Sequence, residues 1–127
     1  MRLYDTARRE IVPFEPADRV VSMYTCGITP YDSTHLGHAA TYLTYDVLQR
    51  RLRDLGYETR CVRNITDVDD SILPKAAELG VHYLDLAAAE LARFDADMEL
   101  LGLLPPWSEP RATSAIPDIR GFIGMVL

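Results

Sequence analysis

The chain has 127 residues, 48% hydrophobic and 25% charged, with 13 basic and 19 acidic side chains and a net charge of −6. That is the balance of one globular domain able to bury a core, with aliphatic and aromatic residues spread too evenly for disorder. The acidic balance excludes broad binding to nucleic acid through a basic face, and no apolar run approaches the ~20 residues that a membrane helix needs. Twelve of the 13 basic residues are arginine, Lys75 being the exception, a skew that fits a GC-rich genome. The sequence reads without a secretory leader, so Cys26 and Cys61 are expected to be reduced in a cytoplasmic protein.

Residues 1–19, broken by Pro13 and Pro16, read as a short strand and a loop. Val20 to Cys26 is β-branched and apolar, which predicts a buried strand ending at Gly27. Thr29, Pro30, Asp32 and Ser33 make a turn-rich loop. From Leu36 to about Leu55 the pattern is helical. Leu36, Ala39, Ala40, Leu43, Val47, Leu48, Leu52 and Leu55 recur at three- and four-residue steps, Arg50, Arg51, Arg53 and Asp54 lie on the outer face, and Gly56 is placed as the stop.

Residues 58–65 read as a second strand, with Cys61 in the core. Helices are predicted at about 71–80 and 84–101, the latter ending before Gly102. Residues 104–110 read as a Pro-rich loop with Trp107 as a packing anchor. A last helix is expected from Ser114, interrupted by Pro117, Gly121 and Gly124. A strand–helix–strand unit of this length implies a parallel pair, the opening of an α/β sheet. Such sheets bind ligands beyond the carboxyl ends of their strands, which brings residues 26–35 together with 64–70.

His35-Leu36-Gly37-His38 sits at a helix N-terminus, with both imidazoles on one side. Such a start suits phosphate, and the imidazoles can donate to its oxygens; a polar helix start without a ligand is the alternative. Gly37 removes a side chain that would hinder a ligand. Cys26 is open to three readings: metal ligand, nucleophile or small buried residue. Asn64 and Thr66 alternate with Ile65, so both can point to one ligand. Asp67, Asp69 and Asp70 read as caps of the following helix or as groups that hold a metal or a ligand amine, with capping and loop structure favoured for Asp69 and Asp70; Asp95, Asp97 and Glu99 read as a solvated helix face, and His82 as a lone surface histidine.

Taken together, three ordered motifs resemble the class I cysteinyl-tRNA synthetase superfamily: Cys26-Gly27-Ile28-Thr29-Pro30-Tyr31-Asp32, then Thr34 to Ala39 with His35–His38 as the HIGH signature, then Asn64 to Asp70. Ile28, Pro30, Thr34, Ala40 and Ser71 depart from the synthetase branch and look like the cysteine ligase branch of mycothiol biosynthesis, which joins cysteine to glucosaminyl-inositol. Ser108 to Thr113 is closer to the synthetases.

The resemblance implies an α/β, Rossmann-like class I catalytic domain, of which residues 1–127 are the N-terminal portion and about 84–127 the start of a helical insertion. It implies adenylation of cysteine by ATP and transfer to the amine of glucosaminyl-inositol, or to tRNA in the alternative branch. By position, Cys26 matches a ligand to a zinc ion that reads the substrate thiol. Gly27, Ile28, Thr29, Thr41, Asn64, Ile65 and Thr66 match positions around the cysteinyl-adenylate. His35 and His38, with Gly37 between them, match groups on the ATP phosphates; Thr66 joins the two histidines as a catalytic candidate. The family's other zinc ligands and its KMSKS-type lysine loop have no counterpart within these residues. The chain alone is therefore expected to be inactive, either as a truncated half needing a C-terminal partner half or as a degenerate paralogue that binds nucleotide without catalysis.

Overall fold

The computed structural model describes residues 1–127. It opens with a hairpin, β1 (Arg2–Asp5) against β2 (Glu10–Pro13), where the sequence suggested one strand and a loop. The turn carries the reason. Asp5 Oδ1 accepts from the backbone N–H groups of Ala7 at 2.9 Å and Arg8 at 3.1 Å, and Arg9 takes a left-handed φ of 57°. A short acceptor side chain that closes its own turn is what Asp offers at such a position.

β3 (Val20–Ile28), α1 (Leu36–Asp54) and β4 (Glu58–Ile65) form the expected parallel unit. The register runs from Val20 opposite Glu58 to Thr25 opposite Arg63, then slips so that Ile28 faces Ile65. Three steps on β3 match two on β4, so Cys26 and Gly27 sit in a bulge. A third strand-like piece lies on the far edge of β4, where a plain loop was expected. The Trp107 N–H donates to the Cys61 carbonyl at 2.8 Å, the Arg63 N–H to Ser108 at 3.0 Å and the Ile65 N–H to Pro110 at 2.9 Å. β4 presents a full row of ladder groups on that side, and a buried edge must pair them.

α1 stops as expected, with Gly56 at φ 89° beyond the cap. Its buried face shares only Leu52 with the recurring aliphatic one. Tyr42, Asp46, Gln49 and Leu52 are buried, whereas Leu36 is 88% and Val47 64% exposed. Burying two polar residues is permitted because Asp46 is satisfied: its carboxylate accepts from the Leu104 N–H at 2.8 Å and from Arg50 Nε at 2.6 Å.

α2 (Ile72–Leu79) packs on α3 (Tyr83–Leu100) through Ile72, Ala76, Leu86 and Ala87. The main core joins the strand ends to α1 and α3 through Ile28, Tyr42, Ile65, Leu91, Phe94 and Met98, with Leu103 against it. α4 (Ala112–Val126) runs unbroken through Pro117, Gly121 and Gly124, against expectation. Pro117 removes a single amide donor from a helix with no buried residue, and the turns on both sides persist. No helix is long and apolar enough to cross a membrane.

Candidate functional site

The carboxyl ends of β3 and β4 are locked together by side chains. Asn64 Oδ1 accepts from the Gly27 N–H at 2.9 Å, and Asn64 Nδ2 donates to Thr66 Oγ1 at 3.1 Å. The Thr66 N–H donates to the Ile28 carbonyl at 2.9 Å. A Cβ at Gly27 would lie 1.4 Å from the Asn64 carbonyl oxygen, so only glycine fits the bulge. Asn64 and Thr66, read from the sequence as facing a common ligand, face each other. The Tyr42 hydroxyl donates to the Cys26 carbonyl at 3.4 Å, and burial pushes its phenol up to about 12, against the lowering effect of Arg63.

His35 is the N-cap of α1 and its ring closes a capping box with His38. His35 Nδ1 accepts from the Gly37 N–H at 3.1 Å, and His38 Nδ1 accepts from the His35 N–H at 3.3 Å. The rings stack with centroids 4.0 Å apart and planes 25° off parallel. Accepting at Nδ1 assigns each neutral ring its proton at Nε2, a tautomer inferred from the hydrogen bonds. Burial, then the neighbouring His35, lowers the His38 pKa. A Cβ at Gly37 would meet the His35 ring at 2.8 Å. Gly37 therefore makes room for the folded-back imidazole.

These elements bound a cavity of about 360 Å³ lined by Gly27, Ile28, Thr29, Tyr31, Asp32, Ser33, His35 and His38. Five of the expected site residues, Gly27, Ile28, Thr29, His35 and His38, share its wall. Thr41 stands one turn after Gly37 and donates to its carbonyl at 3.0 Å. Ile65 is 1% exposed and belongs to the core.

Cys26 is a free, exposed thiol, which removes the reading as a buried residue; Cys61 is free and buried, as expected. Zinc needs about four ligands, and no cluster of three or more His, Cys, Asp or Glu side chains able to hold a metal is present. The residues of this chain do not by themselves fit a zinc ion.

Several residues around the site have partners far along the chain that the sequence does not announce. Arg63 of β4 is buried, its Nε 2.7 Å from Glu109 Oε1, with Asp95 at 3.5 Å and the guanidinium 4.6 Å from the Phe94 ring centre. Asp95 is thus an ion-pair partner; burial, then Glu109, raises its pKa against the opposing pull of Arg63. Asp97 accepts from the Thr34 hydroxyl at 2.6 Å. Asp67 is 2% exposed and accepts from both Thr113 N–H and Thr113 Oγ1, capping α4. Asp69 accepts from Ser71 ahead of α2 and its pKa falls accordingly.

His82 is exposed but not partnerless: its Nδ1 caps α3 through the Leu84 N–H at 3.3 Å. Trp107 is 62% exposed, held by its backbone, with the Arg60 guanidinium 5.5 Å over its ring. A charged residue inside a strand and an acceptor 46 positions from its donor leave no periodic signal.

Residues 13–127 match the family model described as tRNA synthetases class I (C) catalytic domain. Over all 127 residues the chain is 51% identical to the L-cysteine:1D-myo-inositol 2-amino-2-deoxy-alpha-D-glucopyranoside ligases of Mycobacterium ulcerans and Mycobacterium marinum, and 49% identical to that of Mycobacterium tuberculosis. It spans 31% of the length of the first two and 30% of the third. The parallel strand pair with flanking helices is the Rossmann-like α/β architecture of the class I catalytic domain. By the match over residues 13–127, the chain belongs to the class I (C) tRNA synthetase catalytic-domain family.

Proposed function

We propose that this chain is part of an ATP-dependent ligase that activates cysteine and transfers it to the amine of glucosaminyl-inositol in mycothiol biosynthesis. The observation that carries this is the 49–51% identity to such ligases over the full 127 residues. In the first step the cysteine carboxylate attacks the α-phosphorus of ATP, forming cysteinyl-adenylate and releasing pyrophosphate. In the second the acceptor amine attacks the activated carbonyl; an amide forms, AMP leaves and the amine proton passes to solvent.

Within this reading, His35 and His38 hold the ATP phosphates. Their Nε2–H donors are free because both Nδ1 atoms are used in the helix cap. Such donors favour charge moving onto the departing pyrophosphate. Gly27, Ile28 and Thr29 form the opposite wall, shaped by Asn64 and Thr66. Thr41 lies near the helix start and supports it through Gly37. The work done here is positioning and charge stabilisation.

Cys26 is proposed to supply one thiolate to a zinc ion that reads the substrate thiol, the other ligands coming from outside this chain. Its exposure at the strand end supports that role. An exposed free thiol also fits a reducing, cytoplasmic setting. Residues from about 84 onward are proposed to begin the helical insertion. On its own the chain is proposed to be inactive. Its single lysine, Lys75, is on α2 and pairs with Glu78 at 3.1 Å, away from the cavity.

The test is a chimera in which these 127 residues replace the matching stretch of the Mycobacterium ulcerans ligase. Cysteine-dependent exchange of labelled pyrophosphate into ATP is expected from the chimera and not from the 127-residue chain. A folded chimera without exchange would refute the reading.

A further inference from the structure

We infer that Asp97 is a positioning residue: its hydrogen bond from Thr34 holds the His35–His38 pair in the geometry that presents both Nε2–H groups to the cavity. The inference rests on the reading of that pair as the phosphate-binding groups. Residues 31–33 are exposed and make only local hydrogen bonds, Tyr31 N–H to the Thr29 carbonyl and Ser33 N–H to Asp32. The Thr34 hydroxyl, 2.6 Å from Asp97 Oδ2, makes the segment's one hydrogen bond to another element. The acceptor is a carboxylate, so the bond is of the stronger, charge-assisted kind.

Apolar packing does not do this job. The start of α1 is separated from the end of α3 by a cavity of about 390 Å³, with Leu36 and Ala39 on one side and Met98 and Leu101 on the other. Leu36 is 88% exposed. Thr34 and Asp97 bridge that gap at its rim.

The consequence for the histidines is geometric. Thr34 directly precedes the cap residue. The His35 backbone N–H feeds His38 Nδ1, and the His35 ring accepts from Gly37. Rotating the backbone at residues 34–35 breaks both bonds and parts the stacked rings. Asp97 therefore acts at a distance of one residue, without touching a phosphate.

The experiment uses the 127-residue chain with ¹⁵N-labelled histidine. Thr34→Val and Asp97→Ala are expected to abolish the ring-to-ring nuclear Overhauser effect and to move the His38 titration upward. The double variant should go no further than either single one. Thr34→Ser keeps the hydroxyl and should behave as the parent. The remaining titratable groups facing the pair are Tyr31 and Asp32 from the loop and Asp97 from α3.

ATP is then titrated into each chain. Loss of one bond to a charged group predicts about tenfold weaker binding for Thr34→Val and Asp97→Ala. Unchanged rings and titration in both variants would overturn the inference. If the parent chain and its variants all fail to bind ATP while the rings still respond, the clamp stands, and a folded chimera without pyrophosphate exchange removes the phosphate reading and with it the role of Asp97 in that reaction.

Discussion

Asn64 holds Gly27 from two directions: its side-chain oxygen accepts from the Gly27 N–H at 2.9 Å, and its own carbonyl occupies the place where a Cβ on Gly27 would stand. The bulge at the end of β3 is thereby fitted to one residue of β4. Gly27→Ala is expected to force the strands apart and to cost about 3 kcal/mol, at the upper end of the cost of overpacking. Urea unfolding checks this. A variant within 0.5 kcal/mol, roughly the spread of ordinary surface substitutions, would show that the bulge yields freely.

Arg63 is the charged centre of the interior. It stacks on Phe94 and pairs with Glu109 and Asp95. Arg63→Ala leaves two carboxylates without their cation and removes stacking area, for a loss of about 3 kcal/mol. Arg63→Lys is expected to recover little of it, because a point charge cannot stack and fork at once. Thermal and urea unfolding of both variants measure the difference. Parental stability in Arg63→Lys would contradict this account.

Asp67 caps a helix that begins 45 residues later, through two bonds to Thr113. Asp67→Ala is expected to cost about 1–2 kcal/mol. Hydrogen exchange should localise the loss to the first turn of α4. Equal protection of that turn in both chains would show that the cap is dispensable.

The paired histidines make the start of α1 sensitive to acid. The folded His38 pKa lies below its unfolded value, through burial and the nearby His35. Below the unfolded value the unfolded chain binds more protons than the folded one. The contribution is therefore present above the unfolded pKa of about 6.5 and is lost as pH falls through the lowered folded value. Protonation at Nδ1 also removes the acceptor for the His35 N–H. Amide signals of residues 35–38 should shift together with the His38 ring as pH falls. Independent midpoints for ring and amides would separate the cap from the titration.

Much of this molecule is legible in its sequence, and the parts that are not share a cause. Residues 20–26 and 58–65 announce their strands because they are β-branched and bounded by turn signals, and Gly56 and Gly102 mark helix ends because they take positive φ. Gly27, Ile28, Thr29, His35 and His38 meet because parallel strands bring their carboxyl ends to one edge. The buried face of α1 is illegible because Asp46 becomes a core residue through a hydrogen bond from Leu104, 58 positions away. Arg63, Asp67, Asp95 and Asp97 have the same character: each has a partner far along the chain that no periodic pattern announces, although only Arg63 and Asp67 leave the surface. The apolar stripe on α1 is visible in the sequence, but only Leu52 of it is fully buried, while Leu36 and Val47 stay exposed.

The proposed reaction is cysteine transfer to a sugar amine. The most direct measurement presents the chimera, carrying these 127 residues in the Mycobacterium ulcerans ligase, with cysteine and ATP and with glucosaminyl-inositol and cysteine tRNA in competition. Products are read by mass spectrometry. The account predicts the cysteinyl amide of glucosaminyl-inositol with one AMP released per amide and no charged tRNA. Cysteinyl-tRNA as the product, with the sugar amine untouched, would contradict it.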